Sequence, residues 1–153
     1  MPQNEIYGTR SGAYSAWHRR DSTRRFVGIE KAQLLAMIDI DAMLWVEYDD
    51  KTKEPLVLIE TAVDSGQTNK PATVTQNLAK RVNLPAFTVL YTLSHLPNPS
   101  APENRDISNF RVKRLWPAPE ITWRNYTPEK YAQLLLDLRR WQSEQIDKMF
   151  VKT

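Results

Sequence analysis

Two apolar segments rich in β-branched and aromatic residues lie close together near the middle of the chain. Residues 37–48 read MIDIDAMLWVEY and residues 56–60 read LVLIE, with the charged segment DDKTKEP close before the second. Such segments are typical of β-strands, and a connection of about seven residues joins antiparallel strands. The sequence therefore predicts a hairpin within a β-sheet.

The residues after this hairpin predict a helix and a third strand. Residues 73–82 place Val74, Leu78 and Val82 on one helical face, and Asn83 offers a stop signal. Residues 86–93 (AFTVLYTL) have strand character. Because a helix separates this strand from residues 56–60, a right-handed crossover with parallel pairing is expected.

The remaining segments predict the outer parts of the fold. Residues 109–115 alternate imperfectly between apolar and basic side chains, which is typical of a half-exposed edge strand. Thr127, Pro128 and Glu129 predict the start of a helix over 127–148, and a further helix is expected around 30–36.

The order of these elements predicts one α/β domain, a small central mixed sheet flanked by helices. A chain of 153 residues has the size of a single domain. We expect a basic N-terminal segment with a helix (1–36), a core (37–93), a Pro-rich loop or flap (94–104) and the C-terminal helix (127–148).

The amino-acid composition excludes several kinds of functional site. The chain has no cysteine and two histidines, so disulfides, thiolate metal sites and cysteine nucleophiles are excluded. A catalytic metal would be oxygen-bound, such as magnesium or manganese. The longest apolar runs are too short for a membrane helix and the N-terminus lacks a secretory pattern, so we expect a cytoplasmic protein with no membrane partner.

Charge is unevenly distributed along the chain. Residues 1–31 carry six basic and three acidic side chains, whereas residues 39–64 carry eight acidic and two basic ones. Carboxylates that bind a cation, flanked by basic groups that bind phosphates, would suit a metal-dependent enzyme acting on a polyanion. Chance produces the same distribution often.

Three acidic residues lie in predicted strands whose other residues are mostly apolar. Asp39 and Asp41 are two positions apart, so they project to one face of their strand, and Glu60 ends the neighbouring strand. Burying carboxylates without partners costs several kcal/mol each. A divalent cation, arginine partners or exposure to solvent would each resolve that cost.

The pattern of acids on neighbouring strands over residues 37–93 resembles that of the restriction-endonuclease-like, or PD-(D/E)XK, nucleases. The resemblance implies a restriction-endonuclease-like core in which Asp41 and Glu60 bind magnesium or manganese, with Asp39 as an accessory ligand. Trp17, His18 and Arg19 before the Asp-Ile-Asp strand are also similar to a segment of small phage-type members.

One position departs from that family. A lysine that helps to activate water would fall at position 62, where this chain has alanine. Some family members present the lysine from the following helix, which makes Lys80 and its i−4 neighbour Gln76 candidate catalytic residues. Ala62 equally favours a relative that has lost catalysis, and a solvated helix lysine is the simpler interpretation of Lys80.

Basic residues accompany aromatic ones in two places. We interpret the N-terminal group as a candidate nucleic-acid-binding cluster: His18, Arg19, Arg20, Arg24 and Arg25. The second group is Arg111, Lys113, Arg114 and Trp116, where alternation along an edge strand also explains the charges.

Three function classes follow from these patterns. The first is a magnesium-dependent endo- or exonuclease that hydrolyses DNA phosphodiester bonds. The second is a catalytically inactive nuclease-like protein of phage or mobile-element origin that binds nucleic acid or a host protein. The third is a structural or assembly protein. A homodimer is compatible with each, and a phage-encoded chain would work in the host cytoplasm.

Overall fold

The computed structural model describes residues 20–35 and 40–151, with side chains described over 24–35 and 40–149. The chain divides into two compact units between residues 39 and 40. The described part of the first unit has two short helices, α1 (Arg20–Val27) and α2 (Ile29–Ala32). Gly28, with φ of 85°, separates them because this backbone conformation cannot continue a helix.

The helix predicted over 30–36 is shorter than expected. Helix α2 ends at Ala32, and the amide of Leu34 donates to the carbonyl of Lys31 at 3.1 Å. The amide of Leu35 donates to the carbonyl of Ala32 in the same i→i+3 pattern, which tightens the last turn. Helix α1 was not predicted, and Ala36 lies outside the described residues.

The second unit contains a five-stranded mixed sheet in the order β1-β2-β3-β4-β5. The strands are β1 (Ala42–Glu47), β2 (Lys53–Val63), β3 (Ala86–Asn98), β4 (Ala101–Trp116) and β5 (Arg124–Tyr126). Strands β2 and β3 are parallel and the other neighbours are antiparallel. The predicted α/β fold, the β1–β2 hairpin and the parallel β2–β3 pairing are confirmed.

Two helices of this unit match the sequence predictions closely. Helix α3 covers Thr73–Val82 as expected, and Asn83 ends it in the left-handed conformation with φ of 55°. Helix α4 covers Pro128–Val151, and the amide of its third residue, Lys130, donates to the Thr127 hydroxyl at 3.2 Å, the expected N-cap bond. No helix among residues 20–35 and 40–151 combines the length and hydropathy required to cross a membrane.

Two strand predictions were wrong. The Pro-rich segment 94–104 is not a loop, because β3 and β4 continue through it as a long hairpin that turns at Pro99 and Ser100. Register shifts beside Pro97 accommodate its missing amide, and the Ser100 amide donates to the Asn98 side chain at 2.9 Å. Strand β4 is not an edge strand over residues 110–112, since β5 pairs with it there.

Strand boundaries in the hairpin differ as well. Strand β1 begins at Ala42 rather than Met37, and Asp41 directly precedes it. Strand β2 begins at Lys53, so the connection is shorter than the predicted seven residues. It ends at Val63, which leaves Glu60 inside the strand rather than at its end.

The sheet separates two apolar layers. On one face, Val57, Ile59 and other buried residues pack against the apolar stripe of α4: Tyr131, Leu134, Leu135 and Leu138. On the other face, Leu58, Ala79 and Ala86 form a smaller cluster under α3. Leu56 belongs to the same cluster as Val57 and Ile59, whereas Leu58 contacts α3. Because β2 is covered on both faces, the run Leu56–Glu60 is buried throughout.

The core predicts the response of Leu56 to truncation. We expect Leu56→Ala to lower the free energy of unfolding by about 2–5 kcal/mol, because Leu56 is fully buried and its removal leaves a cavity. Urea denaturation measures this change. Leu136→Ala is the matched control, since Leu136 is 56% exposed and its truncation should cost less than about 1 kcal/mol. Equal losses in the two variants would contradict this packing.

Candidate metal centre

Asp41 and Glu60 come together where β1 begins. Ala42 pairs with Ile59, so the register extended by one residue puts Asp41 opposite Glu60. Residues directly opposite each other project to one face with Cβ atoms about 5 Å apart. The Asp41 carboxylate also accepts a hydrogen bond from the Thr61 amide at 2.8 Å, which fixes it beside β2. The structure thus brings together the two acids singled out as metal ligands.

Glu60 is a buried carboxylate with a neutral partner. It is 9% exposed, lies on the face of β2 that α3 covers, and accepts a hydrogen bond from the Thr75 hydroxyl. Among the described residues, no lysine or arginine nitrogen lies within 4 Å of it. A buried carboxylate without a cation is unfavourable, and a second acid opposite increases the cost.

Thr75 is a site residue that the sequence analysis missed. The spacing of Val74, Leu78 and Val82 predicts that these residues form the buried face of α3, but the buried residues are Thr75 and Ala79. Val74 and Val82 are about half exposed. Small side chains allow α3 to approach the sheet above Leu58 and Glu60. Hydrophobic periodicity contains no signal for a face made of threonine and alanine.

The candidate catalytic residues of α3 contact the end of β4. The Gln76 side-chain amide donates to the Leu115 carbonyl at 3.0 Å. The Lys80 ammonium lies 5.7 Å from the centre of the Trp116 ring, and Lys80 is exposed. Within the described part of the chain, the hydrogen bonds of these two residues do not join them to Asp41 or Glu60.

An ion pair between Asp64 and Arg111 lies next to Ala62, on the same side of the sheet as Glu60. Ala62 pairs with Leu90, and Leu90 pairs with Arg111. The Arg111 guanidinium binds Asp64 through two contacts, Nε to Oδ2 at 2.6 Å and Nη2 to Oδ1 at 2.7 Å, and it also donates to the Gln67 carbonyl. These contacts fasten the segment after β2 to β4.

The Asp64–Arg111 pair shifts both ionisation equilibria. Hydrogen bonds from Arg111, and then from the Gly66 amide, lower the pKa of Asp64 below its ordinary value. The hydrogen bond to Asp64 raises the pKa of Arg111. Since the partners are 47 positions apart in the sequence, no local spacing predicts the pair.

The structure describes only some of the remaining predicted site residues. His18, Arg19 and Asp39 lie outside the described residues, and of Arg20 only its place in α1 is described. Arg24 and Arg25 are exposed, and the Arg25 guanidinium lies 4.7 Å from the centre of the Phe26 ring. Their role in binding nucleic acid stays a prediction.

The donor atoms of the Asp41–Glu60 pair fit a hard divalent cation. Magnesium is commonly bound through one or two carboxylates and completes its octahedron with water and substrate oxygens. Within residues 24–35 and 40–149, whose side chains the structure describes, no group of three or more histidine, aspartate or glutamate side chains is placed to hold a metal ion. A pair that includes the exposed Asp41 suits an open, partly hydrated site.

Comparison with known proteins gives no assignment: no protein-family model, no curated protein and no solved structure matches the chain.

The Asp64–Arg111 pair predicts a pH-dependent stability difference. Asp64→Asn should lower the free energy of unfolding by about 1–3 kcal/mol at pH 7. Because the pKa of Asp64 is lowered by folding, its carboxylate stabilises the fold above its ordinary pKa, and this contribution is lost as pH falls through the folded-state pKa. Urea titrations should therefore show the wild-type and variant curves converging in acid.

Asp137→Asn serves as the control for this measurement. Asp137 is exposed, and the hydrogen bond given for its carboxylate comes from Gln133 one turn away on α4. We expect its difference from wild type to stay below about 0.5 kcal/mol at pH 7. A difference between wild type and Asp64→Asn that persists below the folded-state pKa would contradict the ionic contribution.

Proposed function

We propose that Asp41 and Glu60 bind one divalent cation and that the protein is a metal-dependent nuclease acting on DNA. The observation that carries this proposal is the buried Glu60 carboxylate beside Asp41, with a neutral hydroxyl as its described partner. A divalent cation between the two acids would offset both charges. Magnesium or manganese fits the all-oxygen donor set.

Each acid has a group that orients it. The Thr75 hydroxyl holds one oxygen of Glu60, and the Thr61 amide holds one oxygen of Asp41. The hydrogen bonds described here therefore engage one oxygen of each carboxylate. When bound, the cation would lower the pKa of a coordinated water and stabilise negative charge on the phosphate. The role of Asp39 as an accessory ligand stays a prediction, because this residue lies outside the described part of the chain.

The proposed basic group comes from α3. Lys80 would take the role that Ala62 cannot, with Gln76 positioned one turn earlier on the same helix. The Lys80 side chain is exposed and is a flexible four-carbon chain with rotatable bonds. Its ammonium can therefore move from Trp116 toward a bound phosphate. Lys80 would then neutralise phosphate charge or transfer a proton.

A second candidate function rests on the same contacts. Ala62, the Lys80 contact with Trp116 and the Gln76 hydrogen bond to Leu115 favour a catalytically inactive relative that binds nucleic acid or a host protein. Such a protein would bind a cation or DNA without cleavage. We propose DNA as the partner of the nuclease, and nucleic acid or a host protein as the partner of the inactive relative. For both we propose a cytoplasmic location and compatibility with a homodimer.

The metal proposal predicts matched losses in two variants. Asp41→Asn and Glu60→Gln should each weaken Mn²⁺ binding at least about tenfold in isothermal titration calorimetry and abolish Mn²⁺-dependent cleavage of DNA, supplied both as single strands and as a plasmid. Each variant removes one anionic ligand while keeping the side-chain shape. Glu144→Gln, on the exposed side of α4, should match wild type in both assays. Unchanged Mn²⁺ affinity in folded Asp41→Asn and Glu60→Gln proteins would refute the metal centre.

A separate variant tests Lys80. Lys80→Ala should slow cleavage about 100-fold, the scale of a lost proton-transfer group, with Mn²⁺ affinity unchanged. Arg81→Ala, the exposed neighbour on α3, should cleave at the wild-type rate. Wild-type cleavage by Lys80→Ala would remove Lys80 from the mechanism. Mn²⁺ binding with no cleavage by the wild-type protein would establish the inactive relative.

A further inference from the structure

The Trp123 ring lies close to two basic side chains, on the same side of the sheet as Glu60. Its ring centre is 5.2 Å from the Arg111 guanidinium carbon and 5.3 Å from the Lys113 ammonium. Val112, between these two residues, packs toward α4 with Val89. Because side chains alternate along a strand, Arg111 and Lys113 both project to the α3 side. We name Arg111, Lys113 and Trp123 the tryptophan platform.

The indole of the platform is held in place from two directions. Its Nε1–H donates to the Thr68 carbonyl at 2.8 Å, and the two cations lie within cation–π distance of the ring. Arg111 is itself fixed by Asp64 and the Gln67 carbonyl. Trp123 nevertheless stays partly exposed. A fixed, partly exposed aromatic ring loses little conformational entropy when a planar ligand stacks on it.

The charges of the two cations are balanced differently. Asp64 compensates Arg111 through a bidentate pair. Among the described residues, no carboxylate lies within 4 Å of the Lys113 ammonium. Lys113 thus presents an uncompensated positive charge next to the indole. An aromatic face beside a cation matches a nucleobase and its adjoining phosphate.

Lys113 also lies in one row with the two acids. Lys113 pairs with Thr88, Thr88 pairs with Glu60, and the extended β1 register adds Asp41. Two strand spacings put the Cα atoms of Glu60 and Lys113 roughly 10 Å apart. A nucleic-acid chain bound at the tryptophan platform would therefore reach the two acids within a few nucleotides.

We propose that the tryptophan platform binds single-stranded nucleic acid, with a base stacked on Trp123 and a phosphate on Lys113. Single strands are favoured over a duplex because a base can stack on the indole only when it is unpaired. Identification of this strand as the substrate rests on the proposed nuclease function. Binding itself does not, since the platform contains neither acid.

The test measures binding without metal or cleavage. Fluorescence anisotropy with a labelled 12-nucleotide dT strand in EDTA should show binding by the wild-type protein and weaker binding to a duplex of equal length. Trp123→Ala should weaken binding to the strand at least about fivefold, whereas Trp123→Phe should stay within about threefold of wild type because it keeps an aromatic face. Trp141→Ala, a 49% exposed tryptophan on α4, should bind like wild type.

Lys113→Gln gives a second, independent readout. It leaves the indole in place, so it tests the proposal even where Trp123→Ala lowers stability. We expect weaker binding and a salt dependence of log K that is less steep by about 0.7. Because the assay contains EDTA and no divalent cation, weaker binding by Lys113→Gln or Trp123→Ala cannot come from loss of a bound metal, which separates this proposal from the metal centre.

Three results would overturn the platform. They are no binding of the dT strand by wild type, preference for the duplex, or wild-type affinity and salt dependence in folded Trp123→Ala and Lys113→Gln proteins.

Discussion

Burial of the Glu60 carboxylate under α3 is the constraint on which the candidate site depends. The β2 strand is covered on both faces, so an acid within it must find a partner in the layer above. Thr75 provides a hydroxyl, and small side chains at positions 75 and 79 allow the close helix–sheet contact. A neutral hydroxyl satisfies one hydrogen bond but leaves the negative charge, and Asp41 adds a second charge opposite.

The same face of the sheet divides into an acidic and a basic part. Asp41 and Glu60 lie at β1 and β2, whereas Arg111 and Lys113 lie at β4, with the buried Thr88 of β3 between them. The Asp64–Arg111 pair joins the two parts by fastening the segment after β2 to β4. Under the proposed function, this division would separate the carboxylates that bind a cation from the basic groups that bind a polyanionic substrate.

The sequence predicted most of the architecture because the signals were local. Asn83 and Thr127 mark helix boundaries through their own backbone and side-chain geometry, and apolar runs mark the strands. The hairpin over 94–104 was missed because prolines usually interrupt strands, and here register shifts absorb them. The two acids could be named from strand patterns, but Thr75, Asp64 and Trp123 could not, since their roles depend on contacts between distant segments.

Crystallography of the protein with Mn²⁺, using the anomalous signal of manganese, would show whether Asp41 and Glu60 bind a cation. We predict an anomalous peak within coordination distance of one oxygen from Asp41 and one from Glu60, with the Thr75 hydroxyl still bound to Glu60. A structure at saturating Mn²⁺ with no peak between these carboxylates, or with a lysine or arginine paired to Glu60 instead, would contradict it.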